Sequence, residues 1–234
     1  MLIQSVVTVM LEIQTLIDEI QEEANRAEFP IDEPIYQKAN AEPTQPILYA
    51  GNLQSPLCVF GRDLGKDEVA NRQPLYGAAG SLVRKGLYRT LFNTESTDKT
   101  ELEKVLNQVL LTNTVPYKPP GNKAYSTAVK QRFRPYIERL LVCHWQGDRI
   151  ITLGNDAFDW FTPYAPKGTL KEFFQRGDRY SSSQPITLQA TDSQGNLHQR
   201  PITLLPLPHP SPLNQRYYAQ FPLLLQQRLS DIFQ

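Results

Sequence analysis

An imidazole, a carboxylate and a carboxamide stand in this chain where separate apolar runs end. Leu204 and Leu205 lead into His209-Pro210-Ser211-Pro212-Leu213 and then Arg216. A run from Leu57 ends in Gly61-Arg62-Asp63-Leu64-Gly65, and two others end in Thr112-Asn113 and Leu153-Gly154. A carboxylate can orient water or stabilise positive charge. A carboxamide donates and accepts at once, so it can read the edge of a base. A neutral imidazole can donate a hydrogen bond to a developing oxyanion. Each has a plainer role when taken alone. Asp63 can pair with Arg62 or cap its loop, Asn113 can fix its own turn, and His209 beside two prolines can be structural. Their joint placement points to one site, because loops leaving the carboxyl ends of strands line a common crevice in an open α/β sheet.

The elements that must position them follow from hydrophobic periodicity. Residues 57–60, 109–112, 150–153, 186–190 and 202–205 read as strands. The last two flank Asp192-Ser193-Gln194-Gly195-Asn196, a hairpin-like turn. Residues 77–92 and 126–144 read as helices, the second with Val129, Phe133, Ile137, Leu140 and Leu141 as its apolar face. A short helix follows Gly154 through Trp160, and residues 218–233 close the chain as a helix. Strands alternating with helices predict a three-layer α/β/α sandwich around a mostly parallel sheet. Upstream, Val6, Val9, Met10, Ile13, Leu16, Ile17 and Ile20 recur at helical spacing, giving an amphipathic helix that ends before Pro30. Packing on the domain is its expected role, and recruitment of a partner is the alternative. Pro30, Pro34, Pro43 and Pro46 predict an irregular connector. The chain thus divides into residues 1–46, helix and connector, and residues 47–234, the domain.

Composition excludes several classes. The chain has 234 residues, 40% hydrophobic and 21% charged, which is ordinary for a globular protein. No apolar stretch reaches the ~20 residues that cross a bilayer. The first residues carry no early Lys or Arg and are not expected to be a secretory signal. Two cysteines, Cys58 and Cys143, build no disulfide framework and no four-thiolate cluster, and Cys58 within LCVF reads as a buried thiol. The net charge of zero hides an asymmetry. Residues 1–34 hold eight acidic side chains against Arg26, leaving 23 basic and 16 acidic residues on the rest. A positive body can attract a phosphate backbone, although solvated Lys and Arg suffice to explain charge alone.

The motifs together resemble the uracil-DNA glycosylase superfamily. HPSPL followed by an Arg is similar to that family's DNA-intercalation motif. GRDLGKDEVANRQPLYGAAG (residues 61–80) resembles the GEAPGxxED and PFVGxAG segments of its iron–sulfur branch. LLTNTVPYKPPGN (residues 110–122) resembles TNVVKCRPPGN, and Leu153-Gly154-Asn155-Asp156-Ala157 resembles LGxxA. The likeness runs from about Leu57 to the C-terminus, and four ordered motifs are far more specific than any one. The departures matter equally. The cysteine of KCRPP corresponds to Tyr117 and that of a following CRPFL to Phe133, and the N-terminal pair is absent. The resemblance therefore implies a lost cluster whose space aromatics fill, with no cofactor and no metal. Asp63 falls where another branch carries the water-activating Asp of GQDPYH. The Tyr that blocks the thymine methyl corresponds to Gly65, and the base-stacking Phe to Leu75, with Tyr76 beside it.

What the resemblance implies is hydrolysis of the N-glycosidic bond of uracil in DNA, with the base flipped out of the duplex. Asp63 and His209 would be catalytic. Asn113, Gly61 and one of Leu75 and Tyr76 would bind the base. Ser211, Pro212, Leu213 and Arg216 would bind DNA, with Pro212 and Leu213 as the wedge. Damaged DNA is the implied partner, the membrane is not, and a monomer in a nucleoid-associated, cytoplasmic setting is expected. Two alternatives stay open. Gly65 admits hypoxanthine, xanthine or mismatched thymine as substrate. Arg62, Leu64 and Leu75, which depart from the family's usual residues, admit a catalytically silent DNA-binding member.

Overall fold

The runs at residues 57–61, 109–113 and 149–153 are buried almost throughout, as strands covered by helices on both faces must be. The computed structural model describes residues 2–121, 123–211 and 214–233, with side chains from residue 11 onward. The chain begins with helix α1 (Leu2–Arg26) and a short α2 (Glu33–Lys38), followed by β1 (Tyr49–Gly51) and β2 (Leu57–Gly61). Helices α3 (Lys66–Asn71), α4 (Ala78–Phe92) and α5 (Lys99–Glu103) lead to β3 (Val109–Asn113), and α6 (Thr127–Arg139) leads to β4 (Arg149–Leu153). Then come α7 (Asn155–Asp159), α8 (Thr169–Gln175), the hairpin β5 (Gln184–Thr191) and β6 (Leu197–Leu207), α9 (Gln215–Tyr218) and α10 (Phe221–Phe233).

The six strands run in the order β1-β3-β2-β4-β6-β5. The pairs β3–β2, β2–β4 and β4–β6 are parallel, whereas β1 and β5 add antiparallel edges. The period-two alternation of strand side chains divides the core. Cys58, Phe60, Leu110, Ile150 and Leu204 meet the side formed by α1, α6, α7 and α8. Val59, Leu111, Ile151, Leu153 and Leu207 meet α4 and α10. This is the three-layer α/β/α sandwich around a mostly parallel sheet. From β2 the chain moves first to β3 on one side and then back across to β4 on the other. The topological switch point, where such sheets bind ligands, therefore lies between β2 and β4.

Three local expectations are corrected. The stretch 30–46 is not wholly irregular: Pro34 sits in the first turn of α2, where its missing N–H costs nothing. The helix expected over 126–144 is α-helical only to Arg139, and a π-helical turn over Leu140–His144 follows. Leu140, Leu141, Val142 and His144 are all buried there, which a regular helical stripe does not allow for successive residues. The closing helix is broken between α9 and α10, because Pro222 is accommodated in a new first turn. The N-terminal helix packs on the domain as expected. Ile13, Leu16, Ile20 and Ala24 are buried in the same cluster as Tyr117 and Phe133.

Candidate active site

The four sequence-derived loops leave the carboxyl ends of neighbouring parallel strands. Asp63 follows β2, Asn113 ends β3, Gly154 follows β4 and His209 follows β6. The loops are tied directly to one another. Thr114 donates its N–H to the carbonyls of Gly61 (3.2 Å) and Arg62 (3.1 Å), and its hydroxyl donates to Arg62 O (2.6 Å). The Gly154 N–H donates to Leu207 O at 2.8 Å. Gly154 has a φ of +85°, and a Cβ there would come within 2.9 Å of His209 Cβ. A left-handed residue without a side chain is thus what lets the β4 and β6 loops close together.

Asp63 is nearly buried, with 5% of its side chain exposed. Its Oδ2 accepts from Arg62 Nε at 2.6 Å, whereas Oδ1 is buried with no hydrogen-bond partner among the described residues. Burial raises the carboxyl pKa above the usual range, and the charge and hydrogen bond of Arg62 work against that rise. The plainer role foreseen for Asp63, pairing with Arg62, is therefore real, and it occupies only one of two oxygens. Arg62 reaches further, donating from Nη1 to Asp156 Oδ2 at 3.1 Å, so a guanidinium fork spans the switch point between β2 and β4.

Asn113 is 2% exposed, and its Oδ1 is likewise a buried acceptor without a partner. Gly61 lies against it: a Cβ on Gly61 would stand 2.7 Å from Asn113 Nδ2 and 3.4 Å from Leu75 Cδ2. Buried polar groups are ordinarily satisfied, and here two acceptors on neighbouring loops, Asp63 Oδ1 and Asn113 Oδ1, have no hydrogen-bond partner among the described residues. Leu75 rather than Tyr76 shares this wall. The Tyr76 ring instead lies near Arg84 and Lys99, 5.4 and 5.3 Å from its centroid, beside a pocket of about 40 Å³. Leu75 itself is left-handed at φ 52°, a conformation costly for a residue with a branched side chain. Arg84 Nε donates to its carbonyl at 3.1 Å and helps hold it.

The loop from Gly65 to Gly77 is organised by Glu68, which accepts from the N–H groups of Gly65 (3.0 Å), Tyr76 (3.0 Å) and Gly77 (2.8 Å). Because its Oε2 would lie 2.5 Å from a Cβ on Gly65, that position cannot hold a large side chain without moving Glu68.

His209 is exposed, yet protein atoms crowd its ring. That desolvation, reinforced by the positive charge of Arg62, lowers the imidazole pKa, so the neutral form prevails at physiological pH. The turn after it is closed locally. Ser211 N–H donates to His209 O at 2.9 Å, and Asn214 Nδ2 donates to the same oxygen at 3.2 Å. Pro212 and Leu213, the expected wedge, lie outside the described residues. Arg216 is exposed, with its guanidinium 5.1 Å from the Tyr217 centroid.

Sequence reading missed Arg62 as a bridge and missed its anchor Asp156. Asp156 was visible only as part of LGxxA, and no local signal joins residues 94 positions apart. Among the described residues no group of three or more His, Cys, Asp or Glu is placed to hold a metal ion. No helix among those residues is long and apolar enough to cross a membrane. A polar groove of about 340 Å³ between α1, the end of α6 and the β5–β6 turn contains none of the motif residues.

A search of the curated proteins finds no match to this chain. The family model for the uracil DNA glycosylase superfamily matches residues 48–232, a span that begins just before β1 and ends within α10. It contains Asp63, Asn113, Asp156 and His209 in the order that the strands impose, and the chain belongs to the uracil DNA glycosylase superfamily.

Proposed function

We propose that this protein hydrolyses the N-glycosidic bond of uracil in DNA, with Asp63 and His209 as its catalytic pair. Membership of the superfamily carries a DNA glycosylase role, a hydrolase acting on DNA. The observation that carries the finer reading is the pair of buried acceptors, Asp63 Oδ1 and Asn113 Oδ1, which lie on loops from adjacent strands and have no partner among the described residues. Asn113 supplies an acceptor for the ring N–H of uracil, and its amide can donate to the neighbouring carbonyl. Leu75, beside Gly61, offers an apolar surface to the base.

In the reaction, the bond from the base nitrogen to the anomeric carbon breaks and its electron pair leaves with the base. Positive charge grows on the sugar and negative charge on the base. The Asp63 carboxylate stabilises the first and orients water through Oδ1. His209, neutral and therefore a donor, stabilises the second at a uracil carbonyl. Water then adds its oxygen to the anomeric carbon and releases a proton, leaving free uracil and an abasic sugar. With one oxygen held by Arg62, Asp63 acts in this reading through the charge of its carboxylate and through Oδ1, which orients the water. Base flipping costs a few kcal/mol. In this reading Pro212 and Leu213 wedge into the vacated stack, while Ser211 and Arg216 hold phosphate.

Gly65 favours one further reading at the same site, a broader substrate range that includes thymine, because no side chain there opposes a methyl group. Excision from single- and double-stranded oligonucleotides carrying uracil, mismatched thymine, hypoxanthine or xanthine tests both. Release of uracil supports the main reading. Binding without any abasic product overturns it.

A further inference from the structure

We propose that Arg62 is a positioning residue of this site: its guanidinium fork occupies one oxygen of Asp63, anchors on Asp156 across the switch point, and so dictates which carboxylate oxygen faces the substrate. The inference rests on the glycosylase reading of Asp63 and His209. The geometry distinguishes Arg62 from an ordinary surface cation, whose ion pairs contribute little. Its inner leg is a 2.6 Å charge-assisted bond to a carboxylate whose side chain is only 5% exposed. Its outer leg, 3.1 Å to Asp156, is half exposed and serves as a tether. Its own backbone is pinned as well, since Thr114 donates two hydrogen bonds to the Arg62 carbonyl. With both ends fixed, the fork leaves Asp63 a single free acceptor, Oδ1, and that oxygen is buried and unpartnered among the described residues. A planar five-donor head does this, whereas an ammonium provides charge without the fork.

The charge of Arg62 also acts on both proposed catalytic groups. The groups facing Asp63 are Arg62 on its own loop, Lys130 on α6 and Asp156 on α7, with the Tyr125 hydroxyl also within electrostatic reach. Arg62 and Lys130 lower the Asp63 pKa, whereas Asp156 raises it. His209 feels Arg62 and Asp156 with the same signs. The active state needs Asp63 ionised and His209 neutral, so removing Arg62 moves the acid limb of the rate profile to higher pH. Removing the charge of Asp156 moves it to lower pH. Unspecific destabilisation does not produce opposite shifts.

The test is single-turnover release of uracil as a function of pH for wild type, Arg62→Ala, Arg62→Lys and Asp156→Asn, together with NMR titration of the Asp63 carboxyl and His209 ring in the free proteins. Arg62→Ala is expected to be slower by on the order of tenfold or more, the scale of one lost charge-assisted hydrogen bond, with its acid limb moved up. Arg62→Lys should return the acid limb toward wild type while the rate stays several-fold low, because charge is restored and the fork is not. Asp156→Asn should move the limb down. An Arg62→Ala enzyme within twofold of wild type, full rescue of rate by Lys, or shifts of one sign in Arg62→Ala and Asp156→Asn would overturn the assignment. If wild type releases no uracil, the glycosylase reading fails on its own. The NMR titrations still decide the positioning role, because Asp63 and His209 either move in opposite directions in the two variants or do not.

Discussion

Two regions of this molecule treat buried charge in opposite ways. Where α1 crosses α6, acidic side chains meet basic partners. Glu23 accepts from Arg132 Nε at 2.7 Å, Glu19 pairs with Arg139, and nearby Asp32 holds Lys118 Nζ at 2.6 Å. Beneath them Phe29, Tyr117 and Phe133 pack with centroids 5.0–5.2 Å apart, so the two aromatics that stand at cysteine positions of the resembled branch touch each other. At the carboxyl ends of the strands, by contrast, Asp63 and Asn113 are drawn in and each keeps an acceptor unmatched. In the first region the charged side chains named find partners within the chain. In the second, on the proposed reading, the donor comes from the substrate. That difference separates a stabilising seam from the proposed site more sharply than burial or charge does alone.

The largest effect expected from breaking the contrast is on catalysis. Asp63→Asn and His209→Ala should each lower uracil excision by roughly 10²–10⁴-fold, the range for a positioned acid–base or electrostatic group. Neither should unfold the protein, since neither side chain completes the core. Quench assays for rate and thermal melts for stability separate the two readouts. An active double variant would remove Asp63 and His209 from the mechanism.

Phe133→Ala sharpens the comparison from the other side. Phe133 is fully buried between Phe29 and Tyr117, so truncation should cost about 3–5 kcal/mol of unfolding free energy by denaturant titration. The rate per folded molecule should stay near wild type. A rate loss without a stability loss would mean that the seam and the site are one unit.

Asn113→Ala comes next. It removes the orphaned acceptor, and discrimination between uracil and cytosine in otherwise identical oligonucleotides should weaken by on the order of ten- to a hundredfold, the worth of a buried hydrogen bond to a base. Equal discrimination in the variant would place base reading elsewhere.

Much of this contrast was legible in the sequence, and the reasons for the remainder are physical. The parallel strands were visible because strands buried on both faces are continuous apolar runs, and α1 was visible because its stripe from Val6 to Ile20 repeats over about four turns. The charge asymmetry was visible as well, but the basic surplus does not all face solvent, since Arg132 and Arg139 are used by the acids of α1. Helix α2 was hidden because Pro34 reads as a breaker and serves instead as a starter. Strand β1 was hidden because three residues carry no periodicity. At the site, Asp63, Asn113 and His209 could be named from strand ends. The bridge from Arg62 to Asp156 could not, since it depends on β2 and β4 lying side by side. Nor could the role of Glu68, whose three backbone contacts appear only once the loop has closed around it.

The smallest effect is also the most diagnostic, because the two regions should respond to pH with opposite signs. Burial works to raise the pKa of Glu23, but its bonds to Arg26 and Arg132 outweigh that and hold it below the usual value. Its ionised form therefore contributes stability above the unfolded pKa, and that contribution is lost as pH falls through the lowered folded value. Asp63 is the reverse, because burial outweighs Arg62 and raises its pKa. Its ionisation costs stability once pH exceeds the raised folded value, and the cost vanishes below the unfolded one. Glu23→Gln should accordingly destabilise at neutral pH by on the order of 1 kcal/mol and be nearly neutral in acid. Asp63→Asn should be inactive yet slightly more stable than wild type at neutral pH, with the gain disappearing in acid. A stability gain bought with lost activity is what a preorganised site implies. Unfolding curves taken from neutral pH down through the acid range, until the Glu23→Gln difference closes, measure both. If Asp63→Asn destabilises at neutral pH, its carboxylate belongs with the paired charges of the seam, and the strand-end site loses the feature that set it apart.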